Sequence, residues 1–225
     1  MTRPRQLVLD WPHAPSFARE DFLPAPSNRE ALATLDRWPD WPARMLLLVG
    51  PEGSGKSHLA ALWARRSGAP ILHAQDLGGG DFPPDGEALA IEDADRIGLG
   101  EDRLFHLVNR MIARSAWLLV TARSAPDSWS LKTPDLLSRL RLAPVVRLSM
   151  PDQELIEAVL FKLFSDRQLQ VEPSLASYIA TRIERSIGAA RAFVEAVDRE
   201  TLSRGRRLTR ALAGEFLRGT ERHEK

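Results

Sequence analysis

One short segment constrains the fold of this chain more than any other feature. The pattern G-x-x-x-x-G-K-[ST] is matched in order by Gly50, Pro51, Glu52, Gly53, Ser54, Gly55, Lys56 and Ser57. The segment follows an apolar run, residues 45–50, and precedes a helical pattern over residues 56–66. A glycine-rich turn between a buried strand and a helix is the context in which this pattern forms a phosphate-binding loop.

Each residue type in this loop has a physical reason to be there. Glycines allow several backbone N–H groups to converge on phosphate oxygens, and the start of the following helix adds partial positive charge. Lys56 is placed to reach the β- and γ-phosphates of a nucleotide, and the Ser57 hydroxyl is placed to ligate Mg²⁺. The loop therefore predicts that the chain binds a nucleotide together with Mg²⁺.

Two carboxylates, Glu92 and Asp93, follow the apolar run 88–91. A phosphate-loop protein holds its metal with an acidic residue of this kind, so Glu92 is expected to ligate Mg²⁺ and Asp93 to orient the attacking water. A strand that simply ends in polar residues is the alternative. Because Glu precedes Asp, the reverse of the usual order, each carboxylate is displaced by about a methylene, and about 1 Å can cost on the order of 10²-fold in rate. We therefore expect weak intrinsic ATP hydrolysis.

The remaining periodicity predicts an α/β fold. Further strands are predicted at residues 70–73, 117–121 and 145–148. One helix is predicted to begin near Asn28, and two others are predicted at residues 104–112 and 135–142. Strands that alternate with helices indicate a parallel sheet, here of about five strands, with helices on both faces. Trp38 and Trp41 are predicted to pack on the edge of this domain.

After residue 150 the strand patterns stop. Amphipathic helices are predicted at residues 152–164, 174–185, 187–202 and 209–218, which form a small all-α domain. The predicted organisation is an extended, proline-containing N-terminal arm at residues 1–16, the α/β domain at residues 17–150 and the helical domain at residues 151–225.

Composition excludes several classes of protein. The 225 residues include no cysteine, which rules out disulfides, and no apolar run long enough to span a bilayer, so a cytoplasmic location is expected. Lys and Arg number 31 against 30 Asp and Glu, which gives no global attraction to nucleic acid. A local basic patch near the C-terminus is either a solvated surface or a binding surface; it consists of Arg199, Arg204, Arg206, Arg207, Arg210, Arg218 and Arg222.

Taken together, these motifs resemble the AAA+ core of the DnaA family. The resemblance covers residues 17 to 218 and is carried by the phosphate loop continued by His58, the acidic pair at 92–93, the V-T-A-R-S-A-P segment at 120–126 and the L-S-R-L segment at 137–140. It implies an adenine nucleotide, ADP or ATP, and Mg²⁺ as cofactors. It also implies that His58, and Phe22 and Asn28 in the segment before the core, contribute to the nucleotide site.

Three features distinguish this chain from the initiators of that family. No helix-turn-helix domain is expected after residues 209–218, so sequence-specific DNA binding is not expected, and the stretch at residues 75–87 is too short for the helices that initiators use on single strands. At the other end, Gln6, Leu7, Leu9 and Trp11 resemble the peptide with which regulatory members bind the sliding clamp. An edge strand or a disordered arm is the alternative reading of that peptide.

The resemblance to regulatory members implies a mechanism in trans. Arg139 would enter the nucleotide site of DnaA and stabilise the charge that develops during ATP hydrolysis there, which prevents over-initiation. An arginine finger of this kind is worth about 10³–10⁵ in rate. The implied partners are DnaA and the sliding clamp, the β subunit of DNA polymerase III; assembly with further copies of this chain stays open, and no membrane partner is expected.

Two positions depart from the family pattern. Arg123 stands where the family has Asp or a small polar residue, which leaves Thr121 as the candidate for sensing the γ-phosphate. In the helical domain Gly188 occupies the position of an arginine that touches the nucleotide, and Arg191, one turn later, is the candidate substitute. These departures favour a bound diphosphate that acts as a structural switch.

Two other functions stay open at the level of the sequence. The first is a self-sufficient AAA+ ATPase of the helicase-loader type, which would need a competent acidic pair and a nucleic-acid surface. The second is a recruitment module that binds the clamp and has no catalytic role. Substitution of Arg139 separates the regulator from the recruitment module, because only the regulator would lose activity while it keeps clamp binding.

Overall fold

The computed structural model describes residue 19 and residues 22–78, 86–204 and 208–220. By its internal contacts the chain divides into compact units, one formed by residues 17–150 and another that contains residues 151–225. Each unit has its own hydrophobic core.

The first unit is a parallel α/β sheet. Its elements in chain order are α1 (Arg29–Asp36), β1 (Met45–Val49), α2 (Lys56–Ser67), β2 (Ile71–His73), β3 (Ala88–Glu92), α3 (Glu101–Ala113), β4 (Trp117–Ala122), α4 (Pro134–Arg141) and β5 (Val145–Arg147). The strand order is β2-β3-β4-β1-β5, and every neighbouring pair is parallel. The predicted fold class, with five parallel strands, is confirmed.

Alternate residues of β1 face opposite sides of the sheet, and both sides are covered by helices. Leu47 and Val49 pack in one cluster with apolar residues of α3 and α4, whereas Leu46 and Leu48 pack in a second cluster with α1 and α2. All five residues of β1 are buried, which explains why its sequence is continuously apolar and does not alternate between apolar and polar residues. The phosphate loop therefore starts from a rigid central strand.

Four tryptophans pack together in the second cluster. Trp41 stacks on Trp63 with ring centroids 5.4 Å apart, and Trp38 meets Trp63 edge-on at 6.2 Å. Trp117 at the start of β4 lies 5.8 Å from Trp41. The predicted packing role of Trp38 and Trp41 is confirmed, because both contribute to the core between α2 and the sheet.

The second unit is helical, as its periodicity predicts. It consists of α5 (Gln153–Asp166), α6 (Pro173–Ala180), α7 (Ile187–Arg204) and α8 (Arg210–Thr220), packed around one apolar cluster. The prediction that α6 reaches residue 185 is wrong. The chain leaves the helix after Ala180 and starts α7 with a cap, in which the Ser186 hydroxyl accepts a hydrogen bond from the Ala189 N–H at 3.0 Å.

None of the helices in the described part of the chain combines the length and apolar character needed to cross a bilayer.

Candidate nucleotide-binding site

The phosphate loop has the backbone that phosphate binding requires. Gly53 and Gly55 adopt positive φ angles of 77° and 98°, which other residues rarely adopt, and Gly55 directly precedes α2. The loop thus turns sharply from the carboxyl end of β1 into the start of a 12-residue helix. Free backbone N–H groups and the helix dipole act together at this point on a bound anion.

The polar side chains of the loop fit a phosphate group. Lys56 is buried, and its Nζ donates to the carbonyl oxygens of Gly50 at 2.7 Å and Pro51 at 2.8 Å. Burial lowers the pKa of Lys56, while the carboxylates of Asp93 and Asp95 act in the opposite direction. The hydroxyl of Ser54 is buried and has no hydrogen-bond partner among the described residues. A buried cation and a free hydroxyl in one glycine-rich turn suit an anionic ligand.

The two residues predicted to hold Mg²⁺ are brought together. Glu92 is buried at the end of β3, and burial raises its pKa, while a hydrogen bond with Ser57 acts to lower it. His73 at the end of β2 places Nδ1 3.8 Å from Glu92 Oε2. The described residues contain no group of three His, Asp or Glu that could hold a metal by themselves. Ser57 and Glu92 therefore fit the type of Mg²⁺ site in which phosphates supply further ligands.

Asp93 and Thr121 are also adjacent. Asp93 has a left-handed backbone, with φ 52°, and its N–H donates to Thr121 Oγ1 at 3.1 Å. Thr121 is buried at the carboxyl end of β4, so its hydroxyl orients the backbone of the acidic pair. The structure therefore gives Thr121 a contact with the proposed water-orienting residue.

An ion pair that the sequence did not predict lies across the loop. Glu52 Oε2 accepts from Arg123 Nη2 at 2.6 Å and lies 3.3 Å from Arg96 Nη2. The hydrogen bond from Arg123 lowers the pKa of Glu52 and raises that of Arg123. These residues are 71 and 44 positions apart, so no sequence pattern could have identified the pair. Arg123, whose role was open, thus binds the phosphate loop.

The segment before α1 reaches the start of α2. The Phe22 ring meets the His58 ring edge-on, with centroids 5.2 Å apart, so two predicted nucleotide contacts are neighbours. The Asn28 side chain instead supports the segment itself, since its Oδ1 accepts from the Ala25 N–H at 2.8 Å and its Nδ2 donates to the Leu23 carbonyl at 3.1 Å. Asn28 is therefore placed to shape this side of the site.

Arg139 lies on α4, where its guanidinium contacts an aromatic ring. Its guanidinium carbon is 5.8 Å from the centroid of the Phe105 ring, and in the described part of the chain it has no carboxylate partner. The start of α4 is held by Glu101, whose carboxylate accepts from the N–H groups of Lys132 at 2.9 Å and Thr133 at 2.6 Å. The sequence did not single out Phe105 or Glu101, because each contact joins residues that are far apart in the chain.

Several residues predicted from the sequence lie outside the described residues or belong to the helical unit. The N-terminal peptide with Gln6, Leu7, Leu9 and Trp11 lies outside the described residues, as do Arg206, Arg207 and Arg222 of the basic patch. Arg191 belongs to the helical unit, where it is half-buried on α7, one turn after Gly188.

Comparison with known proteins gives one distant match in sequence and several close matches in structure. No family model matches the chain. An uncharacterized protein of Haemophilus influenzae is 26% identical over 176 residues, which cover 71% of this chain and 75% of that protein.

Solved structures of DnaA and of RuvB are among those that this chain resembles. Domain III of the replication initiation protein DnaA from Thermotoga maritima has a TM-score of 0.73 at 17% identity, over 89% of this chain and 95% of that one. AMPPCP-bound DnaA from Aquifex aeolicus scores 0.66 at 14% identity, over 84% and 67%. The Holliday junction branch migration motor RuvB of Thermotoga maritima scores 0.56 at 19% identity, over 76% and 60%. The chain therefore has the AAA+ fold, and its structure is similar to that of DnaA domain III.

Proposed function

We propose that this chain binds an adenine nucleotide with Mg²⁺ and regulates replication initiation by stimulating ATP hydrolysis on DnaA. The observation that carries the proposal is the guanidinium of Arg139, which rests on an aromatic ring and has no carboxylate partner in the described residues. A cation held in this way is available to a second protein.

The nucleotide part of the proposal rests on the phosphate loop. Lys56, Ser57 and Glu92 supply a cation, a hydroxyl and a carboxylate at the carboxyl ends of β1 and β3, the edge at which ligands bind in open parallel sheets. DnaA from Aquifex aeolicus was solved with AMPPCP, an ATP analogue, on the same fold. Phe22 and His58 supply an aromatic edge at the start of α2 for the base.

The regulatory part rests on α4. A planar, permanently charged group is the donor best suited to charge that develops on a transferred phosphoryl group, and Arg139 has this chemistry. Leu142, three residues further on, is 81% exposed, so a partner that binds at this end of α4 would bury an apolar side chain. In these features, and in the clamp-binding pattern at Gln6 to Trp11, the chain resembles Hda, a DnaA-related regulator that acts with the DNA-loaded clamp.

The experiment follows ATP bound beforehand to DnaA in the presence of clamp loaded on DNA. Conversion to ADP is measured without this protein, with the wild type, and with Arg139→Ala and Arg139→Lys. We expect stimulation by the wild type and a loss on the order of 10³-fold in both variants, because lysine lacks the planar fork of donors. Arg185→Ala, which removes an exposed arginine from the helical unit, is the matched control.

Two further measurements distinguish the alternatives. The double variant Gln6→Ala/Leu9→Ala is expected to keep nucleotide binding and to lose both clamp binding and stimulation. Stimulation that survives in Arg139→Ala would contradict the trans mechanism. A turnover of many per second by the isolated protein would favour a self-sufficient ATPase, whereas clamp binding without any stimulation would favour a recruitment module.

A further inference from the structure

Three charged residues that follow three different strands meet at the mouth of the phosphate loop. Glu52 lies in the loop after β1, Arg96 follows β3 and Arg123 follows β4. Glu52 Oε2 accepts from Arg123 Nη2 at 2.6 Å and lies 3.3 Å from Arg96 Nη2. Because β4 lies between β1 and β3 in the sheet, this cluster spans the carboxyl edge of the sheet at the phosphate site.

The cluster lies beside the cation of the phosphate loop. Lys56 is the residue of this motif that reaches the β- and γ-phosphates, and its Nζ donates at 2.8 Å to the carbonyl oxygen of Pro51, the residue directly before Glu52. The backbone N–H of Arg123 also donates to Asp95 Oδ1 at 3.2 Å, which fixes the residue at the end of β4. The guanidinium of Arg123 is thus a second cation beside the loop, and the Glu52 carboxylate already binds it.

We propose that Glu52 holds the guanidinium of Arg123 in place of a terminal phosphate, so that the site selects a nucleoside diphosphate over a triphosphate. This inference rests on the proposed nucleotide binding and deepens it, because it names the residues that decide which nucleotide is retained.

The selection follows from charge. The two phosphates of a diphosphate are bound by the loop N–H groups and Lys56, and they leave the ion pair intact. A third phosphate brings further negative charge towards the carboxylates of Glu52, Asp93 and Asp95. The third phosphate can bind the Arg123 guanidinium only when Arg123 releases Glu52. The free energy needed to break that ion pair therefore weakens the binding of the triphosphate.

The test measures the dissociation constants of ADP and of AMPPCP, a non-hydrolysable triphosphate, by calorimetry with Mg²⁺ present. The proteins are the wild type, Glu52→Gln and the double variant Glu52→Gln/Arg123→Gln. We expect Glu52→Gln to move the ratio of the two constants towards AMPPCP by about fivefold, the upper end for exposed ion pairs. This shift towards AMPPCP is expected to be absent in the double variant, because that variant has no guanidinium at position 123 to bind the third phosphate.

The controls separate the ion pair from general charge effects. Glu154→Gln removes one exposed carboxylate from α5 in the helical unit and should leave the ratio unchanged. Glu52 is 77% exposed as a side chain, so loss of its ion pair is expected to lower the melting temperature of the nucleotide-free protein by no more than about 2–4 °C.

The outcomes are distinct. Binding of both nucleotides with an unchanged ratio in Glu52→Gln overturns the selection by Glu52 while the proposed nucleotide binding stands. A gain that persists in the double variant overturns the role of Arg123. Absence of binding of either nucleotide to the wild type overturns the proposed nucleotide binding, and this inference with it.

Discussion

Arg139 and Phe105 connect α4 to α3 through a cation and an aromatic face. The guanidinium carbon lies 5.8 Å from the ring centroid, within the range in which a cation is attracted to the negative face of the ring. Phe105 itself packs against the main core cluster of the α/β unit. The ring is therefore a fixed support that limits the directions in which the Arg139 side chain can point.

Phe105→Leu tests this support. Leucine keeps an apolar side chain against the core and removes the ring face, so we expect stimulation of DnaA to fall about twofold to fivefold, in line with 0.5–1 kcal/mol for an exposed cation–π contact. The measurement is conversion of DnaA-bound ATP, with ADP binding by the variant as the control. Equal stimulation by Phe105→Leu and the wild type would show that the ring does not position Arg139.

Glu101 anchors the start of α4 and has a testable pH dependence. Burial acts to raise the pKa of Glu101, but hydrogen bonds from the Lys132 and Thr133 backbones lower it below 4.5 overall. The stabilisation by a carboxylate with a lowered pKa is present above pH 4.5 and is lost as the pH falls through the folded-state value. We expect Glu101→Gln to unfold more easily at pH 7 by about 1 kcal/mol.

Denaturant unfolding of the wild type and Glu101→Gln at several pH values is the measurement. The difference between the two should shrink below pH 4.5, since a protonated Glu101 resembles glutamine. A difference that is the same at pH 7 and in acid would show that the ionised carboxylate is not what holds residues 132 and 133.

Nucleotide binding should appear as thermal stabilisation. ADP at 100 times its dissociation constant is expected to stabilise the wild type by about 2.7 kcal/mol, which corresponds to about 5–10 °C in a domain of this size. Lys56→Ala should lose most of this shift, because it removes the buried cation of the phosphate loop. Differential scanning fluorimetry with and without ADP is the measurement, and a wild-type melting temperature that ADP leaves unchanged would count against the proposed site.

Glu92 is expected to reduce the stability of the nucleotide-free protein at neutral pH. Burial raises its pKa above the ordinary 4.5, so the ionised form is disfavoured in the folded state at higher pH. Stability should therefore increase as the pH falls through the raised value towards 4.5. Glu92→Gln should melt at a higher temperature than the wild type at pH 8, and the gap should narrow towards pH 5.

The same variant should bind nucleotide with little benefit from Mg²⁺, because an amide is a poorer ligand than a carboxylate for this ion. Thermal melting from pH 5 to pH 8 checks the first effect, and calorimetry with and without Mg²⁺ checks the second. Glu154→Gln provides the matched control for loss of one carboxylate. A lower melting temperature for Glu92→Gln at pH 8 would contradict the argument from burial.

The sequence by itself determined the fold class and the phosphate loop. Both depend on local information: the apolar run of β1 and the glycine spacing from Gly50 to Gly55 act over neighbouring residues, so the pattern predicts strand, turn and helix without any distant contact. The placement of Glu92 at the end of β3 was predictable in the same way, because parallel strands bring their carboxyl ends to one edge of the sheet.

Only the tertiary structure decided which distant side chains meet there. The contact of Glu52 with Arg123 joins residues 71 positions apart, and the contact of Arg139 with Phe105 joins two helices on the same face of the sheet. The strand order β2-β3-β4-β1-β5 creates the first of these contacts, because it brings the end of β4 next to the end of β1. Side-chain pairing of this kind depends on three-dimensional packing and leaves no periodic or spacing signal in the chain.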